Sequence, residues 1–143
     1  MIKFFDIYRQ DKKIFKKNIR DIAKIITNNS FINGEPVKKF ERNFSKFCNT
    51  KYAVGCNSGT DAIYFALKAL NLKKNSEVIL SSCSYIAAVN AVIANNLKPV
   101  FIEPDLVSYN ICPNKIKDAI TKKTKAILVV HLYGQIASMD KLM

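Results

Sequence analysis

From residue 52 onward, short apolar runs of strand-forming residues alternate with stretches of helical character. The runs are Tyr52–Gly55, Val78–Leu80, Pro99–Ile102 and Ala126–Val130, and the helix candidates lie at about 60–71, 85–95 and 113–121. No other feature limits the fold so strongly. Apolar runs without strict polar alternation suit strands buried on both faces. Parallel neighbours need a crossover, and strand–helix alternation supplies one each time. The expected fold class is therefore α/β: a mostly parallel sheet with right-handed crossovers, flanked by helices. Helix starts are marked by Ser58 or Thr60, by Ser84 and by Pro113-Asn114.

The first fifty residues have a different texture. Ile14, Ile19, Ile22, Ala23, Ile25 and Ile26 recur among Lys, Asp and Asn, which predicts an amphipathic helix over about 11–28 that ends at Asn28-Asn29-Ser30. Phe31–Pro36 reads as a turn, with Pro36 placed to open a second helix over about 36–48. Val37, Phe40, Phe44 and Phe47 form its apolar face. The expected organisation is a helical segment at 1–50 and βα units at 51–143. Ser138-Met139-Asp140 resembles the opening of a further helix just before Met143. An array ending on an unfinished unit is expected to be the N-terminal portion of one larger domain.

Composition narrows the setting. No apolar run approaches the roughly 20 residues of a membrane span. The start, MIKFFDIYRQDKK, is charged within a few residues and lacks a signal-peptide core. Cys48, Cys56, Cys83 and Cys112 show no C-x-x-C spacing. They are expected to be buried, reduced thiols in a cytoplasmic protein, with neither zinc site nor disulfide framework. The net charge of +12 raises nucleic-acid binding. The excess is spread, however: residues 1–51 hold 13 Lys and Arg against 5 Asp and Glu, and the remainder hold 10 against 6. The cations sit largely as Lys pairs, without Arg–aromatic interleaving for base stacking. A solvated lysine-rich surface is the simpler reading, and a basic nucleic-acid-binding α/β module is the alternative.

Open parallel sheets bind ligands beyond the carboxyl ends of their strands. Three segments fall there: Asn57-Ser58-Gly59-Thr60, Ser81–Tyr85 and His131–Gln135. In the first, Gly59 allows close backbone approach, and the helix start aims N–H groups at an anion. The same residues also make an ordinary N-cap. The segment is neither a Walker loop nor G-x-G-x-x-G. Tyr85 can stack on a planar ligand or simply sit half-buried at a helix start. His131 is the only histidine, so a metal cluster or a histidine-based triad lacks partners, and a hydrogen bond at a strand end is its simplest role.

Taken in order, these segments resemble the DegT/StrS-type nucleotide-sugar aminotransferase family, pyridoxal-phosphate enzymes of fold type I. Phe31-Ile32-Asn33-Gly34 followed by Phe40-Glu41 resembles the family's "fi-x-G" and "FE". Tyr52-Ala53-Val54 with Ser58-Gly59-Thr60-Asp61-Ala62 resembles "yav…SGTdA". Glu77-Val78-Ile79 and Ser84-Tyr85-Ile86-Ala87 resemble "EVI…tFvAt". Pro99-Val100-Phe101, Tyr109-Asn110-Ile111 and Thr124–Ile127 follow in order, and "VHLYGQ" at Val130–Gln135 resembles the most specific late block. The resemblance implies pyridoxal 5'-phosphate as cofactor, an amino-acid donor (usually glutamate), a nucleotide-linked keto sugar as acceptor, and a homodimer. It implies that Gly59 and Thr60 bind the cofactor phosphate, with Ser58 shaping the turn, and that Tyr85 stacks on the pyridine ring.

The sequence departs from that pattern at turns and strand ends. Asn75-Ser76 replaces a Gly-Asp, Ser81 or Ser82 a Pro, Glu103 an Asp, and Ala137-Ser138 a small-Asp pair. The resemblance puts the Schiff-base lysine and the aspartate that pairs with the pyridinium beyond Met143. Lys98 and Lys125 enter their strands at the amino ends, Lys73-Lys74 precede a strand, and Lys68 lies within a helix, so none is placed to substitute. No catalytic residue is expected in residues 1–143, and the chain alone is expected to lack transaminase activity. Sugar dehydratases related to the family keep the fold and change the reaction, and remain an alternative.

Overall fold

Among the described residues, Glu77–Ser81 (β1) is the only strand whose five residues are all buried. That follows from its place at the centre of a three-stranded parallel sheet, between Lys98–Ile102 (β2) and Thr124–Leu128 (β3). The computed structural model describes residues 4–143. Side chains alternate across β1 with the period of two that a pleated strand imposes. Val78 joins Leu67, Ala91, Val92 and Leu97 in one core. Ile79 joins Ile102, Ile111, Ile116 and Ala137 in the other. The first core is roofed by Gly59–Ala69 (α3) and Ile86–Ala94 (α4), and the second by Pro113–Ala119 (α5) with Met139–Leu142 (α6). The sheet is thus covered on both faces, as a parallel sheet requires.

β2 and β3 depart from the expectation of strands buried on both faces. They are the edges of this sheet, and most of their residues are partly exposed. Residues 52–55 depart further and form no strand. A strand needs a neighbouring ladder. The Gly55 N–H donates instead to Glu41 Oε1 at 2.8 Å, while Tyr52 and Val54 lie exposed.

The described chain divides into two units, one ending at Gly55 and one spanning Cys56–Met143. The first holds Ile7–Thr27 (α1) and Glu35–Phe47 (α2). α1 begins four residues before the expected start because the Asp6 carboxylate accepts the Arg9 N–H at 3.1 Å and caps it. Four helices end on asparagine in the left-handed region: Asn29, Asn49, Asn71 and Asn96. After α1, α2 and α4 the paired bonds of a Schellman turn are complete, as in Ser30 N–H to Ile25 O and Asn29 N–H to Ile26 O. With only four glycines in the chain, asparagine supplies the left-handed positions, because its short polar side chain tolerates them best among the other residues.

The four cysteines form no disulfide, and the expectation that they are buried is corrected: Cys48, Cys56 and Cys83 are exposed and Cys112 is half-buried. Cys48 follows α2, Cys83 follows β1 and Cys56 lies in the irregular stretch ahead of α3, where little covers them. Among the described residues no helix is long and apolar enough to cross a membrane.

Candidate functional site

The order β2-β1-β3 reverses direction at β1, so the crevice of this sheet opens at the carboxyl end of β1. The loop there is Ser82–Tyr85. The Ser82 N–H still reaches Ile102 O at 2.9 Å, and the Cys83 N–H turns back to Ser81 Oγ at 3.3 Å. Tyr85 rather than Ser84 is the N-cap of α4, without a side-chain cap bond. The Ser84 hydroxyl is instead buried with no partner among the described residues. Tyr85 is 75% exposed, so the residue lies open rather than half-buried.

The start of α3 lies at the same edge of the sheet. α4 runs from the carboxyl end of β1 to the amino end of β2, so its C-cap, Asn95, marks the amino edge. Asn95 Nδ2 donates to Tyr64 O of α3 at 3.1 Å, and Leu67 packs with Leu97 beside it. The later half of α3 is therefore at the amino edge, and its first turn points the other way. Its 11 residues rise about 16 Å. A five-residue strand covers about the same distance.

In that first turn Ser58 caps the helix as expected. Its Oγ accepts the Asp61 N–H at 3.1 Å and donates to Asp61 Oδ2 at 2.8 Å, and its carbonyl accepts the Ala62 N–H. The Ser58 hydroxyl is thus engaged inside the turn. The N–H groups of Gly59 and Thr60 have no acceptor among the described residues, and both residues are exposed. A Cβ built on Gly59 would meet nothing within 4 Å, and the residue does not need a left-handed φ. Neither packing nor backbone conformation demands a glycine there.

The third segment follows β3. His131 Nδ1 accepts the Ala137 N–H at 3.2 Å, the structural role expected of it. Tyr133 and Gly134 adopt positive φ of 52° and 80° in a tight turn over Leu132–Gly134. Asn110 holds this turn in place. It is 3% exposed, its Nδ2 donates to Gln135 O, and its Oδ1 accepts the Leu132 N–H, both at 3.0 Å. Asn110 is itself presented by the loop after β2. There Asp105 Oδ1 accepts the N–H groups of Ser108 and Val107 and the Ser108 hydroxyl. These bonds, the Ser108 N–H foremost, hold the Asp105 carboxyl below its ordinary value of 3.8. Sequence reasoning gave Asn110 no role, because its partners lie 22 and 25 residues away.

The opposite edge is tied by Glu77. Its Oε2 accepts the Thr121 hydroxyl at 2.6 Å and its Oε1 pairs with Lys98 Nζ at 3.1 Å. Lys98 is thus committed at the amino edge, and Lys125 is passed over in the β1–β3 register at the same edge. Both lysines thus stand at the amino edge of the sheet, where the sequence put them.

Residues 12–143 match the model of the DegT/DnrJ/EryC1/StrS aminotransferase family. The chain belongs to this family. It is 41% identical over 143 residues to dTDP-3-amino-3,6-dideoxy-alpha-D-galactopyranose transaminase of Aneurinibacillus thermoaerophilus, covering 99% of this chain and 39% of that protein. A crystal structure of S. venezuelae DesV superposes with a TM-score of 0.92 at 36% identity, covering 99% of this chain and 38% of that one. E. coli GDP-4-keto-6-deoxy-D-mannose-3-dehydratase, solved with bound hydrated PLP, matches at TM-score 0.81 and 32% identity, covering 87% of this chain and 34% of that one. The family member described here thus spans less than two-fifths of these proteins. One departure from the family pattern also has a physical reason. Asn75, where that pattern carries glycine, has φ +64°, and asparagine is the next most tolerant residue there.

Proposed function

We propose that this family member is the N-terminal part of the large domain of a pyridoxal-phosphate-dependent aminotransferase. The whole protein transfers an amino group from an amino acid, glutamate by preference, to a nucleotide-linked keto sugar. It acts as a cytoplasmic homodimer in amino-sugar biosynthesis. The observation that carries this reading is the pair of uncommitted N–H groups at Gly59 and Thr60, beside open space and level with the switch-point loop that bears Tyr85.

The donor set suits a phosphate. Backbone N–H groups at a helix start carry partial positive charge, need no desolvated counter-ion and release no proton on binding. Gly59 leaves room for phosphate oxygens, Thr60 adds a hydroxyl, and Ser58 keeps the turn in shape through Asp61. The exposed Tyr85 offers a ring face to a planar heterocycle. Asn110 orients the Leu132–Gln135 turn beside them. When bound, pyridoxal phosphate supplies the electron sink on which amino-group transfer depends. Residues 1–143 hold and orient it, and we assign none of them a catalytic role. The sugar-dehydratase alternative keeps the same seat, and the order of matches favours the transaminase.

Titration of the 143-residue chain with pyridoxal phosphate, followed by tyrosine fluorescence with inorganic phosphate as competitor, tests the seat. Gly59→Ala and Thr60→Ala are each expected to weaken binding roughly tenfold, without lowering the melting temperature. Affinity unchanged from the parent chain in both variants, or failure of phosphate to compete, would remove the assignment. Release of 2-oxoglutarate from glutamate, dependent on a nucleotide-linked keto sugar, tests the reaction in a protein containing this segment.

A further inference from the structure

We infer that Asn33–Gly34 is a self-modification site, at which the chain deamidates and forms isoaspartate without an enzyme. The reaction needs the N–H of the following residue as nucleophile. That nitrogen, deprotonated, attacks Cγ of the asparagine side chain, the C–N bond to the side-chain amide breaks, and ammonia leaves with the proton. Water then opens the five-membered imide at either carbonyl, giving aspartate or isoaspartate. No oxidant, reductant or cofactor enters the balance.

Asn33 is exposed, and its side chain makes no hydrogen bond among the described residues. The Gly34 N–H likewise has no acceptor there. Gly34 presents no side chain to crowd the ring as it closes. A glycine is enforced at this position, since a Cβ would collide with the Ser30 side chain and carbonyl.

Asn33 lies in the left-handed region at φ 51°, and four of the five other asparagines found there serve as internal controls. After Asn29, Asn49, Asn75 and Asn96 the next N–H is already committed: Ser30 to Ile25 O, Thr50 to Ser45 O, Ser76 to Lys73 O and Leu97 to Val92 O. The turns after α1, α2 and α4, and the turn at Asn75, withhold the nucleophile from their own asparagine; after Asn71 the Leu72 N–H has no acceptor among the described residues either, but a leucine side chain stands there where Asn33 is followed by glycine. Asn33 lies ahead of a helix instead of behind one, so no such turn forms. The consequence falls on α2. An aspartate product places an anion one residue before the Gly34 N-cap, where the helix dipole favours it. Isoaspartate adds a backbone atom at the point where Gly34 must approach Ser30.

The test is a time course of the native 143-residue chain at mildly alkaline pH, read by mass spectrometry of tryptic peptides. The segment Ile25–Lys38 carries Asn28, Asn29 and Asn33 together. Asn33 is expected to gain about 1 Da roughly ten times faster than Asn29, Asn49, Asn75 or Asn96, with isoaspartate as the main product. Asn33→Gln is expected to abolish the early mass gain. In guanidinium the four controls are expected to speed up and narrow the gap, because their N–H groups are released. A native Asn33 no faster than Asn29, an early mass gain that survives Asn33→Gln, or controls that do not respond to unfolding would each overturn the inference.

Discussion

Replacing Asn110 by alanine tests how the carboxyl edge is built. The substitution removes two bonds of 3.0 Å and leaves the Leu132 N–H and the Gln135 carbonyl without their partner. A neutral hydrogen bond contributes about 0.5–1.5 kcal/mol net, and an orphaned buried group costs about 1–3 kcal/mol. The asparagine is 3% exposed, but Leu132 is only half-buried and Gln135 is exposed, so water recovers part of the loss. The expected cost is about 1–3 kcal/mol in urea unfolding, with lost hydrogen-exchange protection at the Leu132 amide. Asn110→Asp sharpens the test. One carboxylate oxygen still accepts the Leu132 N–H, but the other faces the Gln135 carbonyl with no proton between them. Burial and this repulsion raise the folded pKa of the new carboxyl. Its destabilisation is therefore full at neutral pH and eases as pH falls through that raised value, when the protonated acid donates to Gln135 O. An alanine variant costing under about 0.5 kcal/mol with unchanged Leu132 exchange would refute the reasoning, as would an aspartate variant without pH dependence.

Two further outcomes follow from the amino edge and the turns. The Thr121 hydroxyl first, and Lys98 second, hold the Glu77 carboxyl below its ordinary 4.5. A depressed folded pKa means stability that is present above about 4.5 and is lost as pH falls through the lower folded value. Glu77→Gln should thus lower stability at neutral pH and flatten the acid limb of a melting-temperature profile, and an acid limb identical to that of the parent would contradict the assignment. At Asn75, with φ +64°, alanine should cost about 1 kcal/mol. Glycine should stay within about 0.5 kcal/mol of the parent, and equal melting temperatures for the two variants would show that backbone strain does not govern this position.

The alternation that began at residue 52 determined a great deal by itself. Central strand residues such as Val78–Leu80 are apolar on both sides because a parallel strand is covered on both faces. Ser58 was legible as a cap because capping is local, spanning three residues to Asp61. The ordered family resemblance rests on similarly local blocks. What escaped the sequence is what depends on neighbours. Tyr52–Gly55 has strand composition but no ladder, since composition cannot say whether a partner strand is adjacent. Cys48, Cys56 and Cys83 are residues that usually bury, yet their places outside helices and strands leave them exposed. Ser84 has the chemistry of a cap and is turned inward. Tertiary structure alone decided the order β2-β1-β3, which puts the crevice at Tyr85 instead of at another strand end. It also decided the direction of α3, through Asn95 and Tyr64, and joined Asn110 to a turn more than twenty residues on. Local patterns encode which elements form because their energetics act between near neighbours. The site arises from contacts between remote segments, which exist only once the chain has closed around its sheet.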